Sequence, residues 1–234
     1  MELTLQTASH TNPVEPSADL TLQVSEQGIR FPGEEIVPWK KANQAIKSRL
    51  DFFAMAQSVH QEVSIEVIHP AFLLLPNEYH DPLYRVAFLE KALGDNCMNE
   101  QELHEQSCPM VDSTLLFLIP SVWKDQLASL FPLAQIKYNH LIGNNTNNSK
   151  LYIHPRIHVY LQESKAYVTY FQHGQLQLAN VFPFEHELAL AYYLHSIRDS
   201  FDIQWNQESI RLEGPDSTNK QLIDDLIRLN IPLS

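Results

Sequence analysis

The 234-residue chain has few of the residues that the common nucleotide-binding and catalytic sequence motifs require. It has six glycines, at positions 28, 33, 94, 143, 174 and 214, and no two of them lie close together. Loops that cradle phosphate need glycines because backbone N–H groups must approach the anion. The sequence accordingly has no dinucleotide-binding, P-loop, nucleophile-elbow or zinc-helix motif. Chemistry carried by a known motif is excluded, whereas a site built from dispersed residues stays open.

Basic residues, cysteines and long apolar runs are also scarce. Sixteen Lys and Arg stand against 28 Asp and Glu, which gives a formal net charge of −12. Nucleic acids and anionic membranes bind clustered cations, so we expect neither as a partner. Cys97 and Cys108 are too few for a disulfide framework. The longest apolar runs, 71–76 and 115–120, are far below the ~18 residues that span a bilayer.

The overall composition is that of a folded protein. Hydrophobic residues make up 44% of the chain and charged residues 19%, which is ordinary for a globular domain. The first residues, MELTLQ, lack the basic and apolar regions of a secretory signal. We therefore expect a cytoplasmic chain that folds around a sizeable core, as one larger domain or two small ones.

Apolar spacing predicts strands and helices in alternation along the first part of the chain. Residues 1–18 have no periodicity and are expected to form a loose arm. Strands are predicted at residues 20–24, 29–31, 35–39, 63–67, 72–75, 115–119 and 136–142, and helices at 41–58, 81–93 and 121–131. Pro38 would confine its strand to an edge or an end. The acidic stretch 95–113 is interpreted as a linker, and 143–150 as a polar loop.

The last part of the chain has the clearest pattern. Strands at 157–161, 165–172 and 175–182 are joined by the turns Glu163-Ser164 and His173-Gly174, which predicts an antiparallel meander. A helix over 185–200, a strand over 209–213 and a final helix over 218–229 follow. The order strand, strand, strand, helix, strand, helix results.

This order of elements occurs twice. Residues 20–93 also give two or three short strands, a helix, a strand and a helix. Two such units describe the duplicated ribonuclease-H-like layout of the actin-like ATPase fold. We therefore predict an α/β (α+β) protein with two ribonuclease-H-like β-β-β-α-β-α halves. The first half covers 19–150 with inserted elements, the second covers 151–234, and the arm 1–18 precedes them.

Several stretches resemble one bacterial family. Residues 19–28, 67–77, 115–131 and 177–195 stand in the order seen in uncharacterised bacterial proteins, a domain of unknown function whose structures look like actin-like ATPases. The most specific part is LANVFPF, residues 178–184, followed by Tyr192-Tyr193-Leu194. The resemblance covers residues 18–232. It implies the actin-like fold, and it brings no biochemical activity with it.

The resemblance also directs attention to two hairpin turns, because actin-like ATPases hold phosphates on one such turn in each half. Nucleotide binding there needs an aspartate for Mg²⁺ and small residues beside the phosphates. The first turn, VSEQG at 24–28, has one glycine, and the second, LQESK at 161–165, has neither glycine nor aspartate. Glu26 and Glu163 could ligate a cation, but their charges would repel phosphate. Near the expected nucleoside position a glycine remains at Gly214. These residues argue against ATP hydrolysis.

Two groups of potential metal ligands have simpler explanations. Cys97, His104 and Cys108 share the acidic stretch, but C-x6-H-x3-C matches no common zinc pattern, and we interpret them as a solvated loop with two incidental thiols. His154 and His158 would share a strand face, but Pro155 interrupts the strand. We expect both histidines at the surface or in a hairpin.

Other polar and aromatic residues are also assigned structural roles. Glu185, His186 and Glu187 suit the positive end of a helix dipole. His195 is expected in the core, hydrogen-bonded to a neighbour, and Ser164-Lys165 are ordinary turn residues. Four acidic residues are expected near loops or on exposed helix faces: Glu78, Asp81, Asp224 and Asp225. Three tryptophans are expected to anchor a core or an interface: Trp39, Trp123 and Trp205.

These observations predict a non-catalytic actin-like protein that acts by binding another protein. A basic partner is favoured, because opposite charges accelerate the association of two proteins. No catalytic, cofactor-binding or metal-binding residue is assigned, and no cofactor is expected. Two alternatives remain: a nucleotide-binding ATPase or kinase with atypical phosphate turns, and a protein that binds a small ligand in the cleft expected between the two halves without turning it over.

Overall fold

The computed structural model describes residues 20–47, 63–132, 134–147, 156–205, 210–215 and 220–233. The predicted arm 1–18 and the predicted helix beyond Lys47 lie outside these residues. The strands are β1 (Leu20–Ser25), β2 (Gly28–Arg30), β3 (Ile36–Pro38), β4 (Val63–Val67), β5 (Phe72–Pro76), β6 (Gln101–Cys108), β7 (Ser113–Pro120), β8 (Ile136–His140), β9 (Arg156–Gln162), β10 (Lys165–Gln172), β11 (Gln175–Pro183) and β12 (Ile210–Glu213). The helices are α1 (Trp39–Lys47), α2 (Arg85–Leu93), α3 (Ser121–Leu130), α4 (Leu141–Asn147), α5 (Glu187–Ser200) and α6 (Lys220–Arg228).

The first sheet has the strand order β3-β2-β1-β4-β8. β1, β2 and β3 are antiparallel neighbours, whereas β4 runs parallel to both β1 and β8. Pro38 ends the edge strand β3, as the sequence predicts. Three antiparallel strands, followed across the sheet by two strands parallel to the innermost of them, form the ribonuclease-H-like arrangement.

The second sheet repeats most of this arrangement in the order β11-β10-β9-β12. β9, β10 and β11 form the predicted meander, and β12 runs parallel to β9. Beside β12, in the place that β8 takes in the first sheet, Leu233 forms a parallel bridge with Ile210. Both halves therefore have the predicted β-β-β-α-β-α order, which confirms the fold class.

A three-stranded antiparallel sheet, β5-β7-β6, is inserted between β4 and β8. Its central strand β7 is almost wholly apolar and buried. The prediction of a linker over 95–113 is wrong, because β6 pairs with β7 along its whole length, from Gln101 opposite Pro120 to Cys108 opposite Ser113. β6 is an edge strand held by backbone hydrogen bonds, so it needs no apolar periodicity.

The polar loop predicted from Gly143 is also wrong for its first residues, since α4 covers Leu141–Asn147. The strand before it ends at His140 instead of Ile142. Leu141 and Ile142 are buried, and the Thr146 hydroxyl donates to the Gly143 carbonyl at 2.9 Å. Tertiary packing thus makes a helix from residues of low helix propensity.

Helix boundaries differ from prediction by a few residues. α2 begins at Arg85, because Asp81 accepts a hydrogen bond from the Leu83 amide and forms a turn before the helix. Its end at Gly94 agrees with the sequence. α5 begins at Glu187, after His186, whose Nδ1 accepts from the Ala189 amide at 3.2 Å.

Two large apolar clusters form the core. One joins the first sheet, the inserted sheet and two tyrosines of the second half, Tyr160 and Tyr167. The other fills the space between the second sheet and helices α5 and α6. Since Tyr160 and Tyr167 belong to the first cluster, the two halves share buried surface. Among the described helices, none is long and apolar enough to span a membrane.

Candidate functional site: the contact between the two hairpin turns

The two turns singled out by the sequence occupy equivalent places in the two halves. Ser25 opposite Gly28 closes the β1–β2 turn, and Gln162 opposite Lys165 closes the β9–β10 turn. Each turn has a glutamate as its first residue, Glu26 or Glu163. Glu163 and Ser164 both have positive φ, 57°, as in the type I′ turns that connect hairpins.

Side chains link the two turns directly. The Ser25 hydroxyl donates to Glu163 Oε1 at 2.5 Å, and Lys165 Nζ lies 2.8 Å from Glu26 Oε2. Glu163 Oε1 also accepts from Gln162 Nε2 at 3.1 Å. Each half therefore contributes one glutamate and one donor to the other half. Both glutamates are engaged by protein groups.

The hydrogen bond and the ion pair that link the two turns differ in their exposure to solvent. Ser25 and Gln162 are buried, whereas the Lys165 and Glu26 side chains are 22% and 49% exposed. Solvent therefore screens the ion pair more than it screens the Ser25–Glu163 hydrogen bond. Burial, followed by the charges of Glu163 and Glu26, raises the pKa of Tyr167, so this phenol stays neutral beside the turns.

Trp39 fixes the first turn from behind. Its indole Nε1 donates to the Ser25 carbonyl at 2.9 Å. The Trp39 ring stacks on Trp123, with centroids 5.3 Å apart, and His69 meets Trp123 edge-on at 5.6 Å. Two of the three tryptophans thus form a tertiary cluster that supports the turn.

The histidines behind this cluster are buried and neutral. His140 is fully buried, its Nε2 lies 2.8 Å from the His69 carbonyl, and its Nδ1 accepts from the Ile142 amide at 3.2 Å. Burial lowers the pKa of His140 to about 4. Burial also lowers the pKa of His69, whereas Glu26 nearby acts in the opposite direction. These contacts fit an imidazole that donates through Nε2 and accepts through Nδ1.

A second polar group joins the halves at the carboxyl ends of β1 and β4. Glu66 accepts from Gln23 Nε2 at 2.7 Å and from Asn144 Nδ2 at 2.8 Å. The Tyr160 hydroxyl of the second half donates to Gln23 Oε1 at 3.5 Å. The sequence gives no sign of this group, because its members come from four separate elements.

Gly214 has a structural explanation. It has a φ of +97°, and a Cβ there would lie 2.4 Å from the Leu161 carbonyl oxygen. The end of β12 therefore passes against the backbone of β9 so closely that only glycine fits. This close approach accounts for the residue without a nucleoside.

The structure does not bring Cys97, His104 and Cys108 together as a set of ligands, and the interpretation as a solvated loop is wrong for the two residues that lie on β6. Cys108 is fully buried, and burial raises the pKa of its thiol. His104 packs against Phe117 and Tyr138, with ring centroids 5.7 and 4.9 Å away. Over the ranges that the structure describes, no cluster of three or more His, Cys, Asp or Glu side chains is arranged to hold a metal.

The remaining histidines have mixed outcomes. His158 lies on β9 of the β9–β10 hairpin, as one predicted alternative has it, but it is buried, so the surface alternative is wrong. His154 lies outside the described residues. His195 is half-buried, with Nε2 3.1 Å from the Leu229 carbonyl and its ring 4.8 Å from that of Trp205. Its predicted hydrogen bond to a neighbour is confirmed. The Lys165 ammonium pairs with Glu26 of the other turn.

The four acidic residues outside the turns are dispersed. Asp81 forms the turn before α2, and Asp225 pairs with Arg228 at 3.1 Å. Glu78 and Asp224 are exposed, on a short 3-10 helix and on α6. Asp224 and Asp225 are neighbours on α6, and Glu78 and Asp81 lie in the segment before α2.

Solved structures confirm the actin-like fold. A Bacteroides thetaiotaomicron protein "with actin-like ATPase fold and unknown function" matches with a TM-score of 0.71 and 15% identity, over 95% of this chain and 93% of that one. A chain of the "PilM-PilN type IV pilus biogenesis complex" matches with a TM-score of 0.54 and 12% identity, over 93% of this chain and 88% of that one. A comparison with curated proteins gave no match.

A family model also matches most of the chain. It is described as "Protein of unknown function (DUF3822)" and matches residues 40–229. These residues include the inserted sheet, the β9–β10 turn and the second half through α6. The chain, whose fold is actin-like, therefore belongs to this family of unknown function, DUF3822.

Proposed function

We propose that the protein is a non-catalytic actin-like scaffold that binds another protein. The contact between the two turns carries this proposal. In the nucleotide-binding version of the fold, the phosphates would enter between these turns. Here Ser25 and Lys165 bind Glu163 and Glu26 across that space. A phosphate would have to displace both contacts and approach two carboxylates, which Coulomb repulsion opposes.

A fold neighbour supports the protein-binding part of the proposal. The PilM–PilN complex contains a chain of this fold together with a protein partner. For the present chain, the formal net charge of −12 favours a basic partner, because opposite charges accelerate association. We further propose that the protein acts in the cytoplasm. We also propose that 1–18 is an arm, that 19–150 is the first half and that 151–234 is the second half.

The experiment is a thermal-shift titration of the purified protein with ATP, ADP and GTP, each with and without Mg²⁺. Ligand binding to the native state raises the melting temperature. Because the two turns contact each other where the phosphates would enter, we expect no binding and hence no saturable shift at millimolar nucleotide. A saturable, Mg²⁺-dependent shift of several degrees would contradict the proposal and support the ATPase or kinase alternative. In that case Glu26→Ala and Glu163→Ala would show whether the turns carry the binding, since loss of the shift would locate the nucleotide there.

A further inference from the structure

A large groove lies between the inserted sheet and the second half. Its volume is about 890 Å³. One wall is β5 with the end of α2, and the other is β11, from which six consecutive residues, 176–181, line the groove. Most of the lining side chains are apolar and half-buried, including Leu73, Leu93 and Leu178.

Among the residues that the structure describes, both walls are strands at the edge of a sheet, so their outer backbone groups face no other described strand of the same sheet. On β5, the Ala71 carbonyl accepts from the Leu118 amide, which fixes the alternation of the β5–β7 ladder. The same alternation directs the backbone of Leu74 away from β7. Leu74 lines the groove.

The same reasoning applies to β11. The Phe184 amide donates to the Ser164 carbonyl, which fixes the alternation of the β10–β11 ladder. Ala179, Val181 and Pro183 therefore direct their backbone away from β10. The Val181 amide is capped by the Asn180 side chain at 2.8 Å, and Pro183 has no amide hydrogen. Ala179 is left with both backbone groups directed to the open edge.

The pattern restricts what can pair there. Pro76 ends β5, and Asn180 and Pro183 block the last part of β11. Such devices protect sheet edges from extended pairing. They leave room for a short strand centred on Ala179, with the apolar side chains of β5 and α2 facing it across the groove.

Charge adds a second requirement. Lys165 is the one charged residue among the described residues that line the groove, and it lies beside Pro183 in the ladder. Glu26 pairs with its ammonium at 2.8 Å, so the described lining has no uncompensated charge. A charged side chain on a bound segment would be desolvated in this apolar groove without a partner, which favours an uncharged segment.

We propose that this groove binds a short, extended, uncharged and apolar segment of the protein partner, which adds a strand to β11 at Ala179. A partner that is basic outside this segment fits both the groove and the net charge of −12. This inference rests on the proposed scaffold function and specifies how the partner is held.

The test uses a phage-displayed library of random linear octapeptides selected against the full-length protein. Enriched peptides are synthesised, and their affinities are measured by fluorescence anisotropy. We expect alternating apolar residues and no charged residue in the bound stretch. Ala179→Pro removes the outward amide without touching the β10–β11 ladder, so it should weaken binding at least tenfold at an unchanged melting temperature. Ala179→Ser keeps the amide and should bind like the wild type.

A second comparison tests the charge requirement. Placing one Asp or one Lys in the bound stretch of a selected peptide should weaken its binding to the wild type at least threefold, because the new charge would be desolvated without a partner. Two results would contradict binding in the groove. One is that the selected peptides bind the Ala179→Pro variant as tightly as the wild type. The other is that selection against the wild type enriches no peptides beyond those that selection against this variant enriches. Such a result leaves the nucleotide titration unaffected, so failure of the groove and failure of the scaffold function are distinguishable.

Discussion

Replacing Gly214 with alanine is expected to lower the free energy of unfolding by roughly 3 kcal/mol, the sum of overpacking and an unfavourable left-handed backbone. The new Cβ would lie 2.4 Å from the Leu161 carbonyl oxygen and 2.9 Å from its amide nitrogen. Backbone atoms cannot move aside as a flexible side chain would, so β12 must shift relative to β9. Urea unfolding followed by circular dichroism measures the change.

Gly33→Ala is the matched control for this prediction. Gly33 also has positive φ, +74°, but no atom lies within 4 Å of the position that a Cβ would take there. The Gly33 variant therefore bears the conformational cost alone, about 1 kcal/mol. Equal losses in the two variants would show that the close approach of β12 to β9 does not exist in solution.

Stability is expected to fall steeply as the pH drops from 6.5 to 4 because of His140. Its folded-state pKa is about 4, whereas the unfolded chain protonates it near 6.5. In this window the unfolded state binds more protons, so the free energy of unfolding decreases with falling pH by roughly 3 kcal/mol in total. Above pH 6.5 the residue makes no pH-dependent contribution. His69, whose pKa is also lowered, adds to the loss in the same direction.

Urea midpoints at half-unit pH steps measure this effect. His140→Gln should lose most of the dependence between pH 6.5 and 5, whereas His173→Asn, in an exposed turn, should retain it. The His140 ring resonance should stay at its neutral position down to pH 5 in an NMR titration. A His140 ring that titrates near pH 6.5 would refute the burial argument.

Sequence patterns predict the second half well, because each of its strands and turns is determined by residues that lie close together in the chain. The strands and turns of the meander each follow from alternation and from a two-residue turn within about ten residues, and their boundaries agree closely with β9, β10 and β11. The duplicated element order then leads to the actin-like fold, which the structure and its neighbours confirm.

The missed elements depend on long-range contacts. β6 is a polar edge strand whose only reason to be extended is its pairing with β7. Helix α4 forms from LIGNNTN because Gly143 packs against the Gln106 side chain and Thr146 is buried. Neither contact leaves a periodic signature in the sequence.

The contact between the turns could be predicted only in part. The sequence identifies both turns and their glutamates, and it indicates that neither turn suits phosphate. That Glu26 meets Lys165 and Glu163 meets Ser25 depends on how the halves face each other, across 138 to 139 residues of chain. The one signal in the sequence that points to such a contact is the opposite charge of Glu26 in the first turn and Lys165 at the end of the second.

The most direct test of the account measures the distance between the two turns. Nitroxide labels at Gln27→Cys and Ser164→Cys, both exposed positions, report on it by dipolar EPR in a Cys97→Ser background that leaves Cys108 buried. We predict one short, narrow distance that millimolar Mg²⁺-ATP does not change. A broad or long distribution, or a distance that lengthens when Mg²⁺-ATP is added, would contradict the closed contact on which the scaffold function rests.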